Sequence, residues 1–106
     1  MSDVSYIGAD LKLRGLLDAA HQTVIIEGQF EGEIKARHLH IMPGALCEAI
    51  IETQSAQIDG RFAGILNTDS LIIGDGAEVG GELVTDAVSI DSGAEISGQI
   101  MRKNPE

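Results

Sequence analysis

Short stretches of the chain alternate between apolar and polar residues, as in Leu39-His40-Ile41, Ala56-Gln57-Ile58 and Val88-Ser89-Ile90. Because successive side chains of a strand point to opposite faces, this alternation predicts strands with one buried face. No segment shows sustained helical spacing, so the pattern predicts an all-β protein. Glycine-containing pairs punctuate the stretches, and glycine permits the tight corners that such strands need. The pairs are Glu27-Gly28, Pro43-Gly44, Asp59-Gly60, Asp75-Gly76 and Ser92-Gly93.

The alternating stretches recur at nearly constant intervals. One column of isoleucines, with steps of 15, 17, 15 and 17 residues, consists of Ile26, Ile41, Ile58, Ile73 and Ile90. A second apolar column consists of Leu13, Phe30, Leu46, Phe62, Val79 and Ile96. A glycine column, interrupted by Glu48 in the third repeat, consists of Gly15, Gly32, Gly64, Gly81 and Gly98. A fourth column consists of Leu17, Ile34, Ile50 or Ile51, Leu66, Leu83 and Ile100.

These columns define repeating units that begin near Ile7, Val24, Leu39, Ala56, Leu71 and Val88. Three short strands and three corners in each unit describe one coil of a single-stranded, three-sided parallel β-helix. Coils stack at the strand-pairing distance of about 4.8 Å, so about six coils form a rod roughly 25 to 30 Å long. One coil cannot bury its own apolar face, and stacking is therefore what creates the core.

Composition and charge narrow the class of protein further. Aromatic residues make up only 3% of the chain, so its core must consist mainly of Ile, Leu and Val. The formal net charge of -10 argues against a nucleic-acid partner and against unaided binding to an anionic membrane. Cys47 is the single cysteine, which excludes an intramolecular disulfide and fits a reducing compartment. Residues 1–10 lack the features of a signal peptide, so we expect a cytoplasmic protein.

The repeated phrases resemble those of the bactofilins, a family of bacterial cytoskeletal proteins. The resemblance rests on Tyr6-Ile7-Gly8 leading to Leu13-Arg14-Gly15, on Val24 to Ile34, and on Leu71 to Leu83. It covers roughly Ile7 to Ile100, and we predict a β-helix domain over residues 7–101 between short tails at 1–6 and 102–106. The resemblance implies a right-handed, three-sided β-helix that polymerises without nucleotide and positions cell-shape or cell-wall machinery.

Many members of that family also carry an apolar, membrane-targeting N-terminal peptide and proline-rich tails. Residues 1–5 of this chain are polar and acidic, and residues 102–106 form a short tail. Both departures argue against direct membrane anchoring and against recruitment of partners through tails. We therefore expect any contact with the inner membrane to be made through partner proteins.

Both ends of the predicted rod are apolar, and neither has a polar or helical cap. Uncovered strand edges are templates for further pairing. The sequence predicts one end contact through Ile7, Leu13 and Leu17, and the other through Val88, Ile90, Ile96 and Ile100. The resemblance favours two-fold contacts that join like ends, whereas head-to-tail stacking is equally plausible from the sequence.

The outer surface offers a lateral contact as well. Ile25, Ile65 and Ile72 fall on outward positions of their strands and are candidates for sideways association. Since the chain carries a net charge of -10, filaments should repel one another sideways, and salt should relieve that repulsion.

The sequence gives weaker support to a metal site, a nucleotide site or a catalytic site. His21, His38 and His40 converge on one face if their register holds, which would suit a zinc ion, although a solvated polar face is the simpler interpretation. No nucleotide-binding loop is present, and no catalytic residue or cofactor is predicted. Cys47 follows the inward Leu46 and is predicted to be exposed without being activated.

The main alternative is a trimeric enzyme built from left-handed hexapeptide repeats, either an acyltransferase or a carbonic-anhydrase-like protein. Ile73 to Val79 and Ile90 to Ile96 are each six residues apart, as that repeat requires. The match then fails, because Val79 to Leu83 spans four residues and the coils measure 15 to 17 residues. A β-helical binding module attached to another protein is a further alternative.

Overall fold

The computed structural model describes residues 4–102, apart from the side chains of Val4, Ala20 and His21. Within that range the chain forms strands and turns and contains no helix. The strands are β1 (Val4–Ile7), β2 (Lys12–Ile26), β3 (Gln29–Ile41), β4 (Leu46–Ile58), β5 (Arg61–Ile73), β6 (Glu78–Thr85), β7 (Ala87–Ile90) and β8 (Glu95–Arg102).

Every pair of neighbouring strands is parallel, and the order in the sheet is β1-β2-β3-β4-β5-β6-β8, with β7 paired to β5. Each long strand begins in one coil and continues into the next, so consecutive strands lie directly above one another. This arrangement is a parallel β-solenoid of about six turns, which confirms the predicted fold class. The right-handed sense and the three-sided cross-section rest on the family resemblance and stay predictions.

The alternation of buried and exposed residues breaks twice in β3 and in β5. In β3 the buried residues are Phe30, Ile34, Ala36, Leu39 and Ile41. The four-residue step from Phe30 to Ile34 spans Gly32, whose φ of 132° marks a bend. A second break falls between Ala36 and Leu39, and the turn after Ile41 is the third. Each coil therefore has a first segment before the turn, a second segment up to the glycine bend and a third segment after it.

The core is a set of stacked identical positions. The isoleucine column pairs in direct register from Ile26 through Ile41 and Ile58 to Ile73, and all four side chains are fully buried. Each isoleucine therefore packs on the equivalent residue of the coils above and below it. This stacking agrees with the predicted column and explains why a core of aliphatic residues needs few aromatic ones.

The third coil differs from the prediction. Cys47, not Leu46, pairs with Phe30 and Phe62, so the second apolar column passes through the cysteine. Ala49 takes the glycine position that was assigned to Glu48, and Ile51 is buried while Ile50 is exposed. The prediction of an exposed Cys47 was therefore wrong, since its side chain is fully buried.

Turn length explains this shift. The turn at Met42–Ala45 is closed by a 3.0 Å hydrogen bond from the Ala45 amide to the Met42 carbonyl. Such four-residue turns also occur at Gly8–Leu11, Gly74–Ala77 and Asp91–Ala94. The turns at Glu27-Gly28 and Asp59-Gly60 contain only two residues. Because the turns vary in length, equivalent residues of successive coils are not evenly spaced along the sequence. Even spacing predicts Leu46 for the second apolar column, one residue before Cys47, which occupies that position in the structure.

A stack of buried threonines lines the bend between the third segment of one coil and the first segment of the next. Thr53, Thr68 and Thr85 are buried, and each hydroxyl faces two backbone carbonyls. The Thr68 Oγ1 lies 3.1 Å from the Gln54 carbonyl oxygen and 3.0 Å from that of Ser70. These donors satisfy carbonyls that the bend turns away from the strand ladder.

The outward side chains of the first segment form two register columns. One pairs Thr23, His38, Ser55, Ser70 and Ala87, and the other pairs Tyr6, Ile25, His40, Gln57, Ile72 and Ser89. None of these residues is Asp, Glu, Lys or Arg, and we call this surface the neutral face.

Gly81 of the glycine column should be intolerant of any side chain. A Cβ at Gly81 would lie 2.0 Å from the Gly64 carbonyl oxygen, whereas a Cβ at Gly76 of the same coil would meet nothing within 4 Å. Both glycines have positive φ, so alanine strains both by about 1–3 kcal/mol. Only Gly81→Ala also pushes the backbone at residue 81 away from the Gly64 carbonyl of the preceding coil. We therefore expect Gly81→Ala to lower the free energy of unfolding by about 1–3 kcal/mol more than Gly76→Ala. Urea unfolding of the two variants tests this, and equal losses would contradict it.

The thiol of Cys47 should be inert in the folded protein. Burial raises the pKa of Cys47 to about 12, and the nearby Glu48 carboxylate adds to the shift. The thiolate is the reactive form, so a disulfide reagent at pH 8 should react only after the protein is unfolded. The unfolded thiol ionises near pH 8.5 while the folded one stays protonated, so stability should fall as pH rises from about 8.5 to 12. Rapid labelling of folded protein would contradict the burial.

Candidate self-assembly interfaces

Each end of the solenoid carries an open strand edge. At the N-terminal end, β1 pairs only with β2, and residues 12–19 of β2 pair only with β3. At the C-terminal end, β7 pairs only with β5 and β8 only with β6. Within residues 4–102, no strand covers the outer edge of either end coil. The backbone amides and carbonyls along these edges are therefore able to pair with a further strand.

The C-terminal end exposes core positions. Ile90 continues the isoleucine column directly beyond Ile73, yet it is 45% exposed whereas Ile73 is fully buried. Val88 and Ile100 are also exposed, and Ile96 is half-buried. These four side chains occupy inward positions, and they are uncovered because no coil lies beyond them. The structure thus brings together the predicted C-terminal residues in one apolar layer.

The N-terminal end has a similar layer with one difference. Leu13 is exposed and Leu17 is half-buried, as expected for inward positions without a covering coil. Leu11 and Leu16 add further exposed apolar surface to the same coil. Ile7 is only 3% exposed, so it presents little surface to a partner. The predicted N-terminal contact therefore depends more on the leucines than on Ile7.

The two end coils differ in charge. Acidic and basic residues balance in the first coil, which contains Asp10, Lys12, Arg14 and Asp18. The last coil begins near Val88 and contains Asp91, Glu95 and Arg102, so acidic residues exceed basic ones by one among its described residues. A contact between two C-terminal ends would bring acidic coils together and would be strengthened by salt. A contact between opposite ends would not meet this repulsion.

His38 and His40 occupy the outward positions that alternation predicted, but the residue paired with His38 in the preceding coil is Thr23 and not His21. His38 and His40 flank the buried Leu39 and point outward, with His40 half-buried. The His40 Nε2 atom lies 2.8 Å from Asp59 Oδ2, which also accepts a 3.2 Å hydrogen bond from Gln57 Nε2. The His21 side chain lies outside the described residues. Among the side chains that the structure describes, no three His, Cys, Asp or Glu are grouped to hold a metal ion.

The fold and its ends define a class of protein: a parallel β-solenoid whose two open edges each carry an uncovered apolar layer. Residues 5–101 match the family model described as "Bactofilin: Polymer-forming cytoskeletal". The chain therefore belongs to the bactofilin family of polymer-forming cytoskeletal proteins. No curated protein and no solved structure matched the chain. Residues 4–102 contain no helix long and apolar enough to span a membrane.

A charge in the C-terminal layer should shorten the assemblies. Ile100 is 39% exposed at the end of the rod, and Ile65 is 41% exposed on its side, so the two form a matched pair. We expect Ile100→Lys to leave short oligomers, because an end contact would bury the ammonium without a partner. Lysine also lowers the net negative charge, so added repulsion cannot explain the loss. Ile65→Lys should still form filaments. Sedimentation and electron microscopy measure both, and filaments of parental length for Ile100→Lys would contradict the role of this layer.

Proposed function

We propose that this protein is a non-enzymatic scaffold that polymerises end to end without bound nucleotide. The contacts are the N-terminal layer of Ile7, Leu13 and Leu17 and the C-terminal layer of Val88, Ile90, Ile96 and Ile100. The filaments position cell-shape or cell-wall machinery in the cytoplasm, near the inner membrane through partner proteins. The observation that carries this proposal is the exposure of inward, core-type side chains at both ends of the solenoid.

The energetics are compatible with assembly driven by the ends alone. Each large aliphatic side chain that becomes fully buried contributes about 1.5–3 kcal/mol. A layer of three or four such side chains, together with the hydrogen bonds of a continued strand ladder, offsets an association cost of several kcal/mol. No step in this process requires the energy of a bound nucleotide.

The enzyme alternative receives less support from the register of the coils. Paired isoleucines are separated by 17 residues from Ile41 to Ile58 and by 15 from Ile58 to Ile73. A hexapeptide-repeat coil would require steady steps of about 18 residues. The uneven steps arise because two-residue and four-residue turns both occur between the paired isoleucines. A hexapeptide repeat, with coils of constant length, would not contain turns of two different lengths.

The first test is negative-stain electron microscopy of the purified protein with no nucleotide or metal added. The proposal expects long filaments whose subunits have the dimensions of the solenoid, 36 × 26 × 24 Å. Discrete particles at every salt concentration would overturn it and would favour the trimeric enzyme instead.

Single-end variants would then separate the two possible filament polarities. If like ends join, Leu13→Lys and Ile100→Lys should each stop at dimers, since one contact survives in each. If opposite ends join, each variant should be monomeric, because every contact needs both ends. The double variant should be monomeric in either case. Molar mass measured by light scattering distinguishes these outcomes, and filaments of the double variant would overturn end-to-end assembly.

A further inference from the structure

The charges of this protein are unevenly distributed around the solenoid. Outward positions of the second segment include Arg14, Glu31 and Glu48 in consecutive coils. Those of the third segment include Glu33, Lys35 and Glu52. The neutral face, which comprises the outward positions of the first segment, carries no charged residue in any coil. A chain with a net charge of -10 thus keeps one complete side of its rod free of Asp, Glu, Lys and Arg side chains.

The neutral face combines apolar and small polar side chains. Ile72 is 47% exposed and Ile25 is half-buried, and between them lies a shallow groove bordered by His38, Ser55 and Ser70. Two acidic groups at the following turns reach this face, and both have partners within the chain: the Asp59 carboxylate bonds to His40 and the Glu27 carboxylate to Tyr6. Covering this surface would therefore leave no charge buried without a partner, which is the main cost of forming a contact.

We propose that the neutral face is the surface through which a second copy of this chain docks sideways, so that filaments pair along it. This inference rests on the proposed end-to-end assembly. A second copy is the occupant that the charges favour, because two copies with a net charge of -10 repel wherever their acidic segments meet. Only on the neutral face can identical rods approach without bringing like charges together.

The size of the neutral face makes this contact dependent on polymerisation. Six coils at about 4.8 Å and a first segment of four paired residues at about 3.3 Å give roughly 380 Å² for one subunit. Stable interfaces bury about 800 Å² on each partner, so two free subunits should not pair through this face alone. A filament repeats the face in every subunit, and the contacts then add along its length. Lateral pairing should therefore appear only after filaments have formed.

A matched pair of substitutions in β5 tests the assignment. Ile72→Glu places a carboxylate on the neutral face. Ile65→Glu places the same charge at the one predicted lateral candidate that lies outside this face, on the third segment, where the parent side chain is similarly exposed. Filament width is measured by negative-stain electron microscopy from about 0.05 M to about 0.5 M NaCl, a range over which screening becomes strong. The parent and Ile65→Glu should form bundles that widen with salt. Ile72→Glu should form single filaments throughout, and Ser55→Glu should do the same.

Each result bears on the assignment. Bundles of Ile72→Glu and Ser55→Glu equal to those of the parent would overturn it, and so would loss of bundling in Ile65→Glu to the same extent. Persistence of single filaments in the variants shows that they are folded and that the end contacts are intact. Absence of filaments in the parent would instead refute the proposed end-to-end assembly.

A lipid surface is the competing occupant, and co-sedimentation with vesicles of phosphatidylcholine and phosphatidylglycerol examines it. Parent filaments that bind these vesicles, lose binding on Ile72→Glu and never form bundles would overturn the proposal and assign the face to the membrane. Failure of the vesicles to sediment the filaments, together with salt-dependent bundles, would support the contact between copies.

Discussion

The structure depends on the direct, parallel pairing of each coil with the next. This register places equivalent residues above one another, so Ile26, Ile41, Ile58 and Ile73 form one continuous buried column. It also brings the backbone of one glycine bend against that of the next, where a Cβ at Gly81 would meet the Gly64 carbonyl at 2.0 Å. Regular stacking and the preference for glycine at the bend, which only Ala49 replaces among the described coils, are therefore two consequences of one geometric constraint.

The same constraint leads to assembly. Each coil of the stack buries its inward side chains against the coils on either side. The final coil has a neighbour on one side only, so it exposes side chains that the internal coils bury. Ile90 and Ile100 illustrate this, since their counterparts Ile73 and Leu83 are fully or almost fully buried. In the proposed end-to-end assembly, adding another copy covers one layer and leaves the layer at the far end of that copy exposed. Filaments would then grow along the solenoid axis, and the sides of the solenoid would govern how they associate.

Strand pairing also sorts the charges. Because each outward position is repeated in every coil, a column that avoids charge produces an uncharged stripe along the whole rod. The stripe from Thr23 to Ala87 and its neighbour from Tyr6 to Ser89 arise in this way. Polymerisation would extend them along a filament. The absence of charged residues at a few outward positions of each coil thereby becomes a continuous uncharged surface.

The sequence by itself determined the all-β class, the number of coils, the isoleucine column and the family, because each depends on a pattern repeated along the chain. The position of Cys47 in the core and of Ala49 at the bend was decided only by the tertiary structure, since turn length sets the register and turns vary between two and four residues. The buried threonine stack at Thr53, Thr68 and Thr85 could likewise not be predicted from the sequence. The backbone carbonyls that accept its hydrogen bonds point inward only because the chain bends there. The exposure of the end layers follows from where stacking stops, which is a property of the folded rod.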